Sequence, residues 1–79
     1  MKIEVRLFSF LCKLFGKDEN RYFFSVEIGE GMTRDDLLTI LRIPQNLPKV
    51  ILINGVVKDE KYLLQEGDEV SILPPVEGG

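Results

Sequence analysis

Residues 2–7, KIEVRL, alternate strictly, with Ile3, Val5 and Leu7 on one face and Lys2, Glu4 and Arg6 on the other. A period of two marks a half-buried strand. In FSFLCKLFG the spacing turns helical: Phe8, Leu11, Cys12 and Phe15 share a face, and Gly16 suits a helix stop. After the polar turn KDENR, YFFSVEI alternates again, with Tyr22, Phe24, Val26 and Ile28 expected to face inward and the strand to pair with the first.

GEGMTRDDLLTILRIP carries the clearest helix. Thr33 is a good N-cap, Asp35 and Asp36 complement the helix dipole, and Pro44 blocks extension. Leu37, Leu38, Ile40 and Leu41 form its apolar stripe. KVILING then reads as a strand apolar on both faces, the pattern of a central strand in a covered sheet. Asn54-Gly55 predicts a tight turn into a short strand near 56–58, and Gly67-Asp68 another before the last strand, EVSILP. The order β-β-α-β-β, with an extra short helix after the first strand, predicts an α+β fold. It is a β-grasp, or ubiquitin-like, roll: a mixed sheet packed on one main helix, with the first and last strands parallel at its centre. Residues 1–73 form the domain and 74–79 a projecting tail.

Composition narrows the chemistry. The 79 residues fit one small domain, and 44% hydrophobic with 29% charged residues is an ordinary globular balance. A net charge of −3 and a pI near 4.9 argue against nucleic-acid binding. The same acidic surface suits a basic protein partner and equally serves solubility. There is no histidine, which removes imidazole acid–base chemistry and cysteine–histidine pairs. Cys12, the single cysteine, offers neither an internal disulfide nor zinc-ligand spacing, so no metal is expected. It reads as a packed or partly exposed helix residue, with a reactive thiol as the alternative. The lack of a disulfide framework and of any long apolar run favours a cytoplasmic protein without a membrane partner. The acidic pairs Asp18/Glu19, Asp35/Asp36, Asp59/Glu60 and Glu66/Asp68/Glu69 read as caps and turns rather than acid–base machinery. Gly29-Glu30-Gly31 lacks the Lys-Ser/Thr of a phosphate loop and reads as a turn.

ILPPVEGG is the feature that turns leave unexplained. Proline cannot donate to a ladder and fixes φ, so Pro74-Pro75 ends the strand and aims the following residues outward. Gly78 and Gly79 have no Cβ to obstruct a narrow channel. A carboxylate that must enter another protein's active site needs both properties.

FSFLCKLFG, ILING and EGDEVSILPPVEGG, taken with the β-grasp order, resemble the MoaD/ThiS family of ubiquitin-like sulfur-carrier proteins over the whole chain. The likeness is closer to the small subunit of molybdopterin synthase than to the thiamine carrier. That resemblance implies that an E1-like enzyme, using ATP and Mg2+, adenylates Gly79, and that a persulfide sulfur donor then replaces AMP to leave a thiocarboxylate. The chain itself would hold no cofactor and no autonomous active site. Its tail would enter the molybdopterin synthase large subunit, where Gly79 carries the sulfur and Gly78 gives clearance. Phe8, Val57 and Leu73 fall at the family's docking positions, with Pro74, Pro75 and Val76 continuing the contact. In the last strand Leu73 points opposite to Val70 and Ile72, whereas Phe8 reads equally as the first, core-packed residue of a helix. Phe10 and Cys12 stand where relatives often carry charge, which would add a greasy patch. Carriers for thiamine or tRNA thiolation, and a ubiquitin-like modifier joined to lysines through Gly79, share the activation step and remain the alternatives.

Overall fold

The computed structural model describes residues 1–75. Strands β1 (Lys2–Phe8), β2 (Arg21–Glu27), β3 (Val50–Ile53), β4 (Val56–Val57) and β5 (Glu69–Leu73) form one five-stranded sheet in the order β2-β1-β5-β3-β4. β1 runs parallel to β5, and the β1–β2, β3–β4 and β3–β5 pairings are antiparallel. Helix α1 (Arg34–Ile40) and a 3-10 helix, Ser9–Phe15, complete the elements of the described residues. This is the β-grasp, ubiquitin-like fold, with the first and last strands adjacent and parallel at the centre, as the order of elements predicts. No helix among the described residues is long and apolar enough to cross a membrane.

The inward positions of the strands fill one core. Ile3, Val5, Leu7, Ile53, Val70 and Ile72 are sealed from solvent, together with Leu11, Cys12 and Leu37. Each such side chain contributes roughly 1.5–3 kcal/mol by leaving water, before the entropy of ordering is charged against it.

Helix α1 starts as its sequence requires. Thr33 Oγ1 accepts from the Asp36 N–H at 3.1 Å, while the Asp36 carboxylate accepts from the Thr33 N–H at 2.9 Å, a reciprocal capping box. Its end differs from expectation. The helix stops at Ile40, well before Pro44, because Arg42 enters the left-handed region at φ 60. The Arg42 N–H then donates to the Thr39 carbonyl and the Ile43 N–H to the Leu38 carbonyl, both at 3.0 Å, a Schellman closure with buried Ile43 and Leu38 at its ends. Ile40, expected in the apolar stripe, is consequently 48% exposed, and Ile43 takes its place in the core.

Two further expectations are corrected. Phe8 is the last residue of β1, extended at φ −130 and paired with Arg21, not the first residue of a helix. The chain turns at Ser9 (φ 58) into a 3-10 helix that buries Leu11 and Cys12 and closes on Gly16 at φ 70. β3 is interior in strand order, but only Ile51 and Ile53 are buried; Val50 and Leu52 lie half-buried on the opposite face. No described helix packs over that face, because both helices contribute their buried residues to the single core cluster on the other side.

Candidate functional site

The register assembles the open face. Val50 pairs with Leu73, and Leu52 lies between Ser71 and Val57. Phe8 sits one step beyond the Leu7–Ile72 pair and therefore beside Leu73. In β2 Phe23 pairs with Arg6, and its ring meets Phe8 edge-on at 5.8 Å. Phe8, Leu73, Val50, Leu52 and Val57 thus make a continuous apolar band at the end of the sheet where β5 runs into Pro74-Pro75. Phe23 is 50% exposed and Val57 69% exposed.

Charge frames the band. Arg6 reaches across β1: its guanidinium lies 5.2 Å from the Phe23 ring centroid on one side and bonds Glu69 at 2.8 Å on the other. Both partners of this ion pair are solvent-exposed, so it contributes at most about 1 kcal/mol to folding and serves chiefly to hold Arg6 flat. Farther from the tail, Glu4, Ser25 and Glu69 make the face polar.

The other end of β5 does a different job. Asp68 is buried, and its carboxylate accepts from the Asn54 amide at 2.9 Å, the Tyr62 hydroxyl at 3.1 Å and the Gln65 N–H at 2.9 Å. The Asn54 side-chain oxygen accepts from the Glu69 N–H at 3.0 Å, and the Asp68 carbonyl from the Glu4 N–H at 2.9 Å. Asn54 and Gly55, at φ 53 and 81, make the primed turn expected between β3 and β4. GDEV is therefore a fold-holding segment that ties three strands together. Burial, then the Asp68 hydrogen bond and charge, push the Tyr62 hydroxyl above its ordinary value.

The remaining candidates are accounted for structurally. Asp35 pairs with Arg34 at 3.2 Å and Asp36 caps α1. The Cys12 thiol is buried, contacts the Leu7 carbonyl at 3.5 Å, and is pushed up by burial and then by Glu19. That environment is the reverse of a reactive thiolate's. Of the two positions expected to add a greasy patch, only Phe10 reaches solvent. No group of three or more acidic or cysteine side chains among the described residues could hold a metal.

Of the site residues anticipated from sequence, Phe8, Val57 and Leu73 come together on the open face, and Pro74 and Pro75 follow directly from β5. Val76, Gly78 and Gly79 lie outside the described residues. Val50, Leu52, Phe23 and Arg6 were missed. The signal for the first two was present in the unbroken apolar run VILI, and for Phe23 in the run of three aromatics YFF.

The comparisons with known proteins fit this geometry. No curated protein matches the chain in sequence. Among solved structures, it is similar to a putative molybdopterin converting factor subunit 1 from Pyrococcus furiosus, with a TM-score of 0.80 and 23% identity over 96% of this chain and 99% of that one. It is also similar to a structure from Helicobacter pylori described as a complex of subunits 1 and 2 of molybdopterin-converting factor, with a TM-score of 0.63 and 28% identity, each chain fully covered. A third likeness is to the small archaeal modifier protein 1 of Methanosarcina acetivorans, with a TM-score of 0.66 and 26% identity over 99% of this chain and 96% of that one. The model of the ThiS family matches residues 5–79, so nearly every element described above falls within the match. The chain belongs to the ThiS family and is a ubiquitin-like sulfur carrier of the MoaD/ThiS type.

Proposed function

We propose that this carrier serves molybdopterin synthesis as the small, sulfur-donating subunit of a molybdopterin synthase. The observation that carries the reading is the apolar band of Phe8, Leu73, Val50, Leu52 and Val57, which runs into Pro74-Pro75 at the end of the central strand. A face of this kind, continuous with the arm, lets a partner bind the sheet and take up the residues that follow in one event. The Helicobacter pylori relative, 28% identical across its full length, has been solved with its second subunit and supports a large-subunit partner of the same kind.

The chemistry assigns little to the carrier and much to its partners. A free carboxylate is a poor electrophile, so Gly79 would be activated by an E1-like enzyme with ATP and Mg2+. The terminal sulfur of a donor protein's persulfide would then displace AMP to form an acyl disulfide. A second thiol would cleave its S–S bond, freeing the thiocarboxylate and leaving the donor sulfur in a disulfide with that thiol. Gly78 would keep the approach to that carbonyl sterically open. The band docks first on the activating enzyme and then on the synthase large subunit, with Pro74, Pro75 and Val76 leading the reactive end inward.

A second reading, a modifier that joins Gly79 to lysines, is favoured by the likeness to the small archaeal modifier protein 1. Carriers for thiamine or tRNA thiolation share the same activation. Intact-mass measurement of the protein recovered from its native cell separates carrier from modifier, and a synthase assay separates the carriers. Replacement of one oxygen by sulfur at Gly79, with synthase activity restored on mixing with the large subunit, is the expected result. Gly-Gly remnants on lysines of other proteins, without the sulfur species, would overturn it in favour of the modifier.

A further inference from the structure

The two edges of the sheet are finished differently. The β4 edge is only two residues long and gives way at once to Lys58. The β2 edge is seven residues, RYFFSVE, without proline, glycine, lysine or bulge in its unbroken register with β1. Long apolar edges that lack such protections invite a further strand.

The hydrogen-bond phase shows what β2 still has to offer. At the two ends of the β1–β2 pair, the Ser9 N–H donates to the Asn20 carbonyl at 2.7 Å and the Ile28 N–H to the Met1 carbonyl at 2.8 Å. Because bonded positions alternate along an antiparallel pair, Tyr22, Phe24 and Val26 direct their backbone groups at β1. Arg21, Phe23, Ser25 and Glu27 direct theirs away, and no described backbone group pairs with them.

We propose that β2 pairs with β2 of a second copy, antiparallel, about a two-fold axis at Phe24. In that register Arg21 lies opposite the second copy's Glu27, and Phe23 opposite its Ser25. All four outward-facing residues thereby satisfy both backbone groups. The same pairing places Tyr22 against Val26 and Phe24 against its own symmetry mate on the core side. Arg21 and Glu27 are both exposed, and the only described ionic contact of Glu27 is the N-terminal ammonium at 3.7 Å. The strand is thus self-complementary in both charge and hydrogen bonding, which is what an isologous interface demands. Slipping the two copies by two residues keeps the bonding phase but forfeits both charge pairs. A two-fold axis normal to the sheet leaves both apolar bands on one side of a continuous sheet, each still open to a partner.

Sedimentation equilibrium on the full chain tests the pairing. The expected species is a concentration-dependent dimer of twice the 9.0 kDa chain mass, with amide exchange at Phe23 and Ser25 slowing as dimer forms. Arg21→Glu and Glu27→Arg should each weaken association about tenfold, and the double reversal should restore it, because opposed like charges destabilise a strand pair and opposite ones support it. Urea midpoints of all variants check that the fold is retained. A protein that stays monomeric to about 1 mM, an association weaker than any specific dimer of this kind requires, overturns the proposal. So does a dimer indifferent to the single reversals, or one not restored by the double.

Discussion

Both faces of the central strands carry apolar side chains, yet they meet opposite fates. On one, Ile3, Val5, Leu7, Val70 and Ile72 are wholly removed from water beneath α1 and the 3-10 helix. On the other, Phe8, Leu73, Val50 and Leu52 stay half-buried and Val57 almost bare. The first face contributes to folding; the second keeps apolar area in reserve for association. A contiguous patch of this kind on a small protein is a mark of an interaction surface. Pro74-Pro75 follow β5 beside that face, so in the proposed function docking and delivery would be joined through one strand.

Substitutions should separate the faces sharply. The largest loss of stability is expected from Ile72→Ala, which opens a cavity beneath the central strand; about 2–5 kcal/mol should vanish from the unfolding free energy in urea. A loss below 1 kcal/mol, on the order of a surface change, would mean that the covered face is not packed as described.

A smaller effect belongs to the polar rim of that face. The fold holds the Tyr62 hydroxyl above its ordinary value, so the folded chain keeps this proton more tightly than the unfolded one. Its contribution is complete below the unfolded value near pH 10 and is lost as pH rises through the higher folded value. Urea midpoints taken between about pH 8 and pH 11 should fall more steeply for the natural chain than for Tyr62→Phe. Parallel curves would show that the Asp68 bond carries no such linkage.

Least of all should stability notice Leu52→Ser on the open face, where a shift within about 0.5–1 kcal/mol is expected. On the proposed function, the same variant should bind a synthase large subunit at least tenfold more weakly, a change of about 1.4 kcal/mol. Equal binding by this variant and the natural chain would remove Leu52 from the docking band.

Much of this was legible in the residues. Alternation in KIEVRL and EVSILP marked the core strands, Thr33 marked the start of α1, Asn54-Gly55 the hairpin, and the arrangement of strands followed. Other assignments failed where a local pattern was compatible with two outcomes. Phe8 continues both the strand period and the helical spacing after it, and only the backbone reversal at Ser9 decides between them. Arg42 in a left-handed cap is not signalled by its residue type, so the early end of α1 and the exposure of Ile40 could not be read. Asp68 looked like one more turn carboxylate, because its donors Asn54, Tyr62 and Gln65 meet only in the folded chain.

The sequence by itself determined which residues share a face of each strand, where the strands break, and that the last strand ends at Pro74-Pro75. Tertiary structure alone decided which face would be covered. A period of two divides a strand's side chains into two sets, but when both sets are apolar, as in VILI, it cannot rank them. The ranking comes from the helices, whose buried residues all pack to one side and leave Val50, Leu52 and Leu73 on the other.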